Sequence, residues 1–326
     1  MNPIHDPAPF QGLSPLERAI GRTVAYADLF DYPLTVPEIH RYLDGLRATP
    51  GEVAAALAQG HLLPGRLDSR AGYFFLPGRE ETVAIRQERA RIARRLWPQA
   101  LGYGRLMARL PFVRMVSVTG SLAMDNAGEQ ADIDYLIVTE HGRLWLARLL
   151  VIGVVRLAAG RGVVLCPNYL VSERALRFPN PNIYTAHELV QMVPLSGRAI
   201  YRRIREVNAW SHRFLPNALG PPRDLTGGGR GSLAQRLAEL PLRTPLGAWL
   251  DRWEMGRKVA KFRQENPAAS EARFSRDCCK GHFTGHSQRI MAAYRQREQA
   301  LVPDVPAVEP GASQPAHSVE KVEKLP

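Results

Sequence analysis

The stretch 113–138 constrains this chain more than any other. It reads V-R-M-V-S-V-T-G-S-L-A-M-D-N-A-G-E-Q-A-D-I-D-Y-L-I-V. A β-branched run ends at Gly120-Ser121, ten residues (122–131) intervene, and two aspartates at i and i+2 open a second apolar run. Both runs have strand composition and strand length. Side chains alternate faces along a strand, so Asp132 and Asp134 project from the same side, about 7 Å apart, while Ile133 enters the opposite layer. The fold must therefore place two carboxylates at one end of a buried sheet.

Two hard oxygen ligands on one rigid edge suit Mg²⁺, or Mn²⁺, an ion that completes its shell with water and substrate phosphates. A phosphate fits at the turn. Gly120 lets the backbone approach a ligand without Cβ interference, and Ser121 offers a hydroxyl and an N–H. A short helix beginning at Leu122-Ala123 would aim its first N–H groups at the anion.

Gly-Ser, ten residues and Asp-Ile-Asp together resemble the signature of the DNA polymerase beta type nucleotidyltransferase superfamily, over a core of 114–172. The resemblance implies transfer of a nucleoside monophosphate from a nucleoside triphosphate to an acceptor, with pyrophosphate leaving. Asp132 and Asp134 would hold the metal and act as the catalytic pair, and Gly120 and Ser121 would cradle the phosphates. The resemblance also implies a third carboxylate on a later strand. The next strand candidate, 162–172 (G-V-V-L-C-P-N-Y-L-V-S), contains no acid. Asn168 takes an inward position there; an amide can position a ligand but cannot accept a proton. Glu173, just past the run, and Glu188, in a helical stretch over 184–192, are the remaining candidates, each with surface solvation as the plainer reading.

The fold expected is α+β: a small mixed sheet with covering helices, preceded by a winged helix-turn-helix-like unit and followed by C-terminal helices. The N-terminal unit spans 1–78. Within it, S-P-L-E at 14–17, T-V-P-E at 35–38 and T-P-G-E at 49–52 each start a helix with a capping box and an early proline. Runs at 61–63 and 72–76 are expected to pair as a hairpin. Such modules often read DNA through the third helix, but 49–59 carries no Lys or Arg, and its one charge is Glu52, which phosphates repel. DNA binding is disfavoured, and packing on the core or on another copy of the chain is the better reading.

The nucleotidyltransferase-like core follows over 79–219, beginning with a linking helix at 80–99. A flexible linker at 220–232, a helical region at 233–302 and a disordered tail at 303–326 complete the chain. Asn208, Trp210 and Asn217 could meet a base. Cys278, Cys279, His282 and His286 raise a zinc site that vicinal cysteines make geometrically poor, while Lys280 and His282 could reach a phosphate.

The net charge of +12 would suit polyanions, yet arginine dominates it in a chain rich in Ala, Pro and Gly, a bias that genomic base composition also produces. The most apolar stretch, 144–159, is shorter than the roughly twenty residues a spanning helix needs, and Arg148 and Arg156 interrupt it; no membrane partner is expected. Three cysteines and no leader-like N-terminus point to the cytoplasm. The acceptor, whether protein, RNA or small molecule, is not legible. The competing reading is a catalytically inactive nucleotide-binding sensor or a DNA-binding regulator.

Overall fold

The computed structural model describes residues 12–226, 233–265, 273–280 and 286–301. Three capped helices open it: α1 (Pro15–Asp28), α2 (Val36–Arg41) and α3 (Pro50–Ala58). At α1 the Ser14 hydroxyl accepts from the Glu17 N–H at 3.2 Å, and the Glu17 carboxylate accepts from the Ser14 N–H at 2.7 Å. Thr49 and Glu52 repeat the exchange at α3, and Glu38 accepts from the Thr35 N–H at α2. Reciprocal caps satisfy amides that would otherwise be orphaned at a helix start.

The hairpin β1 (Asp68–Arg70) and β2 (Tyr73–Phe75) follows. Its two-residue turn, Ala71-Gly72, has positive φ at both positions, the backbone that matches strand twist in tight hairpins. The expected pairing of 61–63 needs correcting. Leu62 and Leu67 are fully buried in a turn across 62–67, and the partner of β2 on its other side is Leu34, which exchanges both backbone hydrogen bonds with Phe74. Burial of two leucines outweighs extension of the hairpin.

Helix α4 (Glu81–Ala108) runs past Pro98, well beyond the expected end at 99. Its first half grips the N-terminal unit and its second half packs on the sheet. Arg86 is buried over the Tyr32 ring, 3.5 Å from its centroid, and donates to Glu38 at 2.7 Å.

The core then alternates β3 (Val113–Val118), α5 (Gly120–Ala123), β4 (Ile133–Thr139), α6 (Leu144–Ala159), β5 (Leu165–Ser172), α7 (Ile183–Gln191), β6 (Val193–Pro194) and α8 (Arg198–Val207), with a 3-10 turn at Ala209–Arg213. The C-terminal part holds α9 (Leu233–Glu239), a 3-10 turn at Leu240–Arg243, α10 (Pro245–Glu265), β7 (Arg273–Phe274), β8 (Cys278–Lys280) and α11 (His286–Leu301). The six-stranded sheet has the order β6-β3-β4-β5-β8-β7. Strands β4 and β5 run parallel and α6 makes the crossover between them; the other described pairs are antiparallel. The molecule is thus α+β.

The expectation of a helical region over 233–302 fails at 273–274 and 278–280, which extend the sheet beyond β5. Cys279 is buried in that extension rather than on a helix, and His282 lies outside the described residues. The expected tail and residues 227–232 of the expected linker also lie outside them.

Alternation in β4 divides the core. Ile133, Tyr135 and Ile137 face α4 and α6, whereas Leu136 and Val138 pack with Met115 and Val171 against α7 and α8. A third apolar cluster, with Tyr26, Tyr42, Ile183, Ala186 and Tyr294, joins α1 and α2 to α7 and α11. Among the described residues no helix is long and apolar enough to cross a membrane.

Candidate active site at the end of the sheet

The carboxyl end of β3 and the amino ends of β4 and β5 meet at one edge, because β3 is antiparallel to β4 and β5 is parallel to it. The Thr119 N–H donates to the Asp134 carbonyl at 3.0 Å, and Gly120 then turns the chain with φ +65°. A Cβ at Gly120 would lie 2.3 Å from Asp134 Oδ2. The Asp134 carboxylate is therefore pressed against the turn, a contact that only glycine permits. Helix α5 is a single turn of four residues, so any anion held here relies on individual N–H groups and the Ser121 hydroxyl more than on a helix dipole.

Asp132 and Asp134 lie on the α7 side of the sheet, as the i, i+2 spacing requires. The Asn168 side-chain amide donates to Asp134 Oδ1 at 2.9 Å. It reaches that position through a bulge: Asp134 pairs with Cys166 but Leu136 pairs with Tyr169, so β5 carries one extra residue at Pro167-Asn168. A bulge tolerates proline and re-aims the following side chain. Cys166, unremarked by the sequence pattern, joins the aspartates, with one ligand atom from each of the three within 4.8 Å of the others.

Burial pushes the Asp134 pKa up to about 7, with the charges of Asp132 and Glu188 adding to the rise and the Cys166 and Asn168 hydrogen bonds opposing it. The Cys166 thiol is pushed up by burial and by the same aspartates, and its soft sulfur suits a hard divalent cation less well than the carboxylate oxygens do. Two crowded carboxylates with a neutral amide beside them form a hard-oxygen donor set. That set fits a divalent cation such as Mg²⁺ or Mn²⁺, whose charge relieves the repulsion.

Of the two acids offered as a third carboxylate, Glu173 is exposed and away from the site, while Glu188 on α7 faces it. Burial raises the Glu188 pKa and the Lys280 charge opposes the rise.

Two spaces meet at Asn168, Tyr184 and Glu188. One is a cleft of 570 Å³ bordered by Thr119, Tyr169, Asn180, Lys280 and Arg295. The other is a 280 Å³ pocket bordered by Gly120, Ser121 and Asp134 on the core side and by Tyr26, Phe30 and Tyr42 from the N-terminal unit. The cleft carries both cations; the pocket has no Lys or Arg on its wall. His187 in that wall stacks on Tyr26 at 4.2 Å, and burial pushes its pKa down to about 3, so it is neutral.

The loop between the Gly-Ser turn and the aspartates is tied to the same unit. The Tyr32 hydroxyl donates to the Met124 carbonyl at 2.8 Å, and the Asn126 amide donates to the Phe30 carbonyl at 3.1 Å. The expectation that the N-terminal unit packs on the core therefore holds, with a consequence the sequence did not reveal: it walls the site. Lys280 lines the cleft. Asn208, Trp210 and Asn217 do not. Asn208 is buried and braces the Leu176 and Phe178 backbone, Trp210 packs on Phe214, and Asn217 ties down the His40 and Leu46 carbonyls.

No family model, curated protein or solved structure matches the chain.

Proposed function

We propose that this chain is a metal-dependent nucleotidyltransferase that moves a nucleoside monophosphate from a nucleoside triphosphate to an acceptor. The observation that carries the reading is the contact between the Asp134 carboxylate and the Gly120 turn, which brings a candidate cation ligand and a candidate phosphate cradle to one point. Asp132 and Asp134 would hold a divalent cation there, and that ion would supply charge neutralisation on the phosphates.

The chain's own residues do the rest. Lys280 and Arg295 suit the larger cleft to the polyphosphate, the Gly120-Ser121 amides and hydroxyl hold its reacting end, and the aromatic pocket, whose wall has no Lys or Arg, suits an acceptor. The acceptor oxygen attacks the α-phosphorus, the bond from that phosphorus to the bridging oxygen breaks, and pyrophosphate leaves in line. The acceptor proton passes to the Glu188 carboxylate, which stands at the junction of the two spaces. Asn168 keeps Asp134 oriented and takes no proton. Three free cysteines, Cys166, Cys278 and Cys279, support placing the enzyme in a reducing cytoplasm.

The test combines calorimetry with labelled nucleoside triphosphates, Mg²⁺ or Mn²⁺, and cell extract as the acceptor source. Asp132→Ala and Asp134→Ala should abolish metal-dependent nucleotide binding and pyrophosphate release together. Glu188→Gln should keep binding and lower release by about 100-fold or more, the scale of a lost general base. Unchanged turnover in the aspartate variants sinks the assignment. Asn168 at the position of the implied strand acid favours the second reading, a nucleotide sensor; saturable binding with no labelled product in any fraction would establish it.

A further inference from the structure

Helix α10 presents an aromatic and cationic face that the proposed reaction does not use. Trp249 and Trp253, one turn apart, are 53% and 50% exposed, and their rings stack with centroids 6.3 Å apart. Leu246 in α10 and Leu237 and Leu240 in the segment leading into it are exposed too, and α6, which packs on α10, adds Leu149 and Leu157. A stacked pair of exposed tryptophans, with exposed leucines on the same helix and the segment leading into it, marks an interaction site.

The described exposed charges on these helices are cationic. Arg252, Arg257 and Lys261 on α10, Arg236 on α9 and Arg156 on α6 are exposed. The described acids of 233–264 are all buried: Glu239 is held by Arg114 and Arg243, Asp251 accepts from the Leu146 N–H, and Glu254 accepts from Arg257. Helix α6 contains no acid. Burial lowers the Lys258 pKa, the Glu254 charge opposes the fall, and the charges of Arg257, Arg148 and Lys261 add to it.

We propose that this face docks on an anionic lipid membrane, with Trp249 and Trp253 at the headgroup level and the surrounding Arg and Lys on lipid phosphates. Indole rings favour that boundary because one edge is apolar and the other donates a hydrogen bond, and cations beside them select anionic lipid. A second copy of the chain fits less well, since a two-fold contact would set Arg252 and Lys261 against their own counterparts. Single-stranded nucleic acid would stack on the tryptophans but gains nothing from Leu237, Leu240 and Leu246, which suit hydrocarbon. The association is peripheral, with no spanning helix among the described residues. It revises the expectation that no membrane is involved, which rested only on the absence of a span.

The full-length protein would be sedimented with vesicles of phosphatidylcholine alone and with vesicles that also contain phosphatidylglycerol. Binding should be about tenfold or more stronger to the mixed vesicles and should weaken as salt screens the charges. The double variant Trp249→Ser/Trp253→Ser should lose about tenfold in binding, and Arg252→Glu/Lys261→Glu should abolish the preference for anionic vesicles. These exposed positions leave the fold intact, checked by an unchanged circular dichroism spectrum. Four results overturn the proposal: no sedimentation with either vesicle, binding indifferent to both variants, a dimer in ultracentrifugation that the Trp variant dissolves, or RNA binding at this face by a protein that ignores mixed vesicles.

Discussion

Gly120 and Asp134 form one unit, and substitutions at either should be read through the other. Gly120→Ala forces a side chain into the left-handed region and drives its Cβ onto the Asp134 carboxylate, costing about 1–2 kcal/mol for the backbone conformation alone. We expect a lower urea midpoint and, by calorimetry, weakened Mg²⁺-nucleotide binding; retained full affinity would show that the contact is incidental. Asp134 also sets a pH dependence. Its folded pKa is raised to about 7 by burial and by Asp132 and Glu188, above an unfolded value of about 3.9. Between these values the native state holds a proton the unfolded chain has released, so metal-free stability falls as pH rises through this window and levels off above it. Asp134→Asn should flatten that fall. Added Mg²⁺ should raise the melting temperature more at pH 8 than at pH 5, and equal shifts at both would exclude Asp134 as a ligand.

At the scale of elements, helix starts were far more legible than short strands. The boxes at Ser14, Thr35 and Thr49 are local chemistry, and the structure uses all three; α6 keeps the bounds 144–159 because its apolar run is framed by turns. Strands β7 and β8 were hidden because two or three residues show no period, and their extension comes from pairing with β5 and each other. Pro98 marks no boundary because packing of α4 on β3 outweighs one missing hydrogen bond. The grip of α4 on the N-terminal unit was equally invisible, since it depends on Arg86 meeting Glu38, the Pro33 carbonyl and the Tyr32 ring. Arg86→Ala leaves Glu38 half-buried without its ion pair, and the loss should be about 3–5 kcal/mol. Chemical denaturation measures it; a loss below about 1 kcal/mol would place the pair among ordinary surface contacts.

Across the whole molecule, the site is assembled from segments at very different distances along the chain, and legibility follows that distance. Gly120, Ser121, Asp132 and Asp134 are read together because they lie within one turn and two strands. Glu188 needed the orientation of α7, and the walls from Tyr26, Tyr42 and Lys280 needed the packing of both ends of the chain on the core. That packing has a thermodynamic consequence. Tyr26 stacks on His187 and meets Tyr294 edge-on, Tyr294 donates to Asp44, and Tyr32 holds the Met124 carbonyl, so the apolar seam between the N-terminal unit and the core is threaded with specific bonds. Opening the seam would expose buried aromatic area and break these bonds at once, a cost close to that of unfolding the small N-terminal core itself. Native-state hydrogen exchange should therefore give α1 the same opening free energy as β3 and β4. Tyr26→Ala should uncouple them, lowering protection in α1 and α2 while leaving β4 protected; if α1 already exchanges far faster than β4 in the unsubstituted protein, the seam is a loose contact and the N-terminal unit does not wall the site in solution.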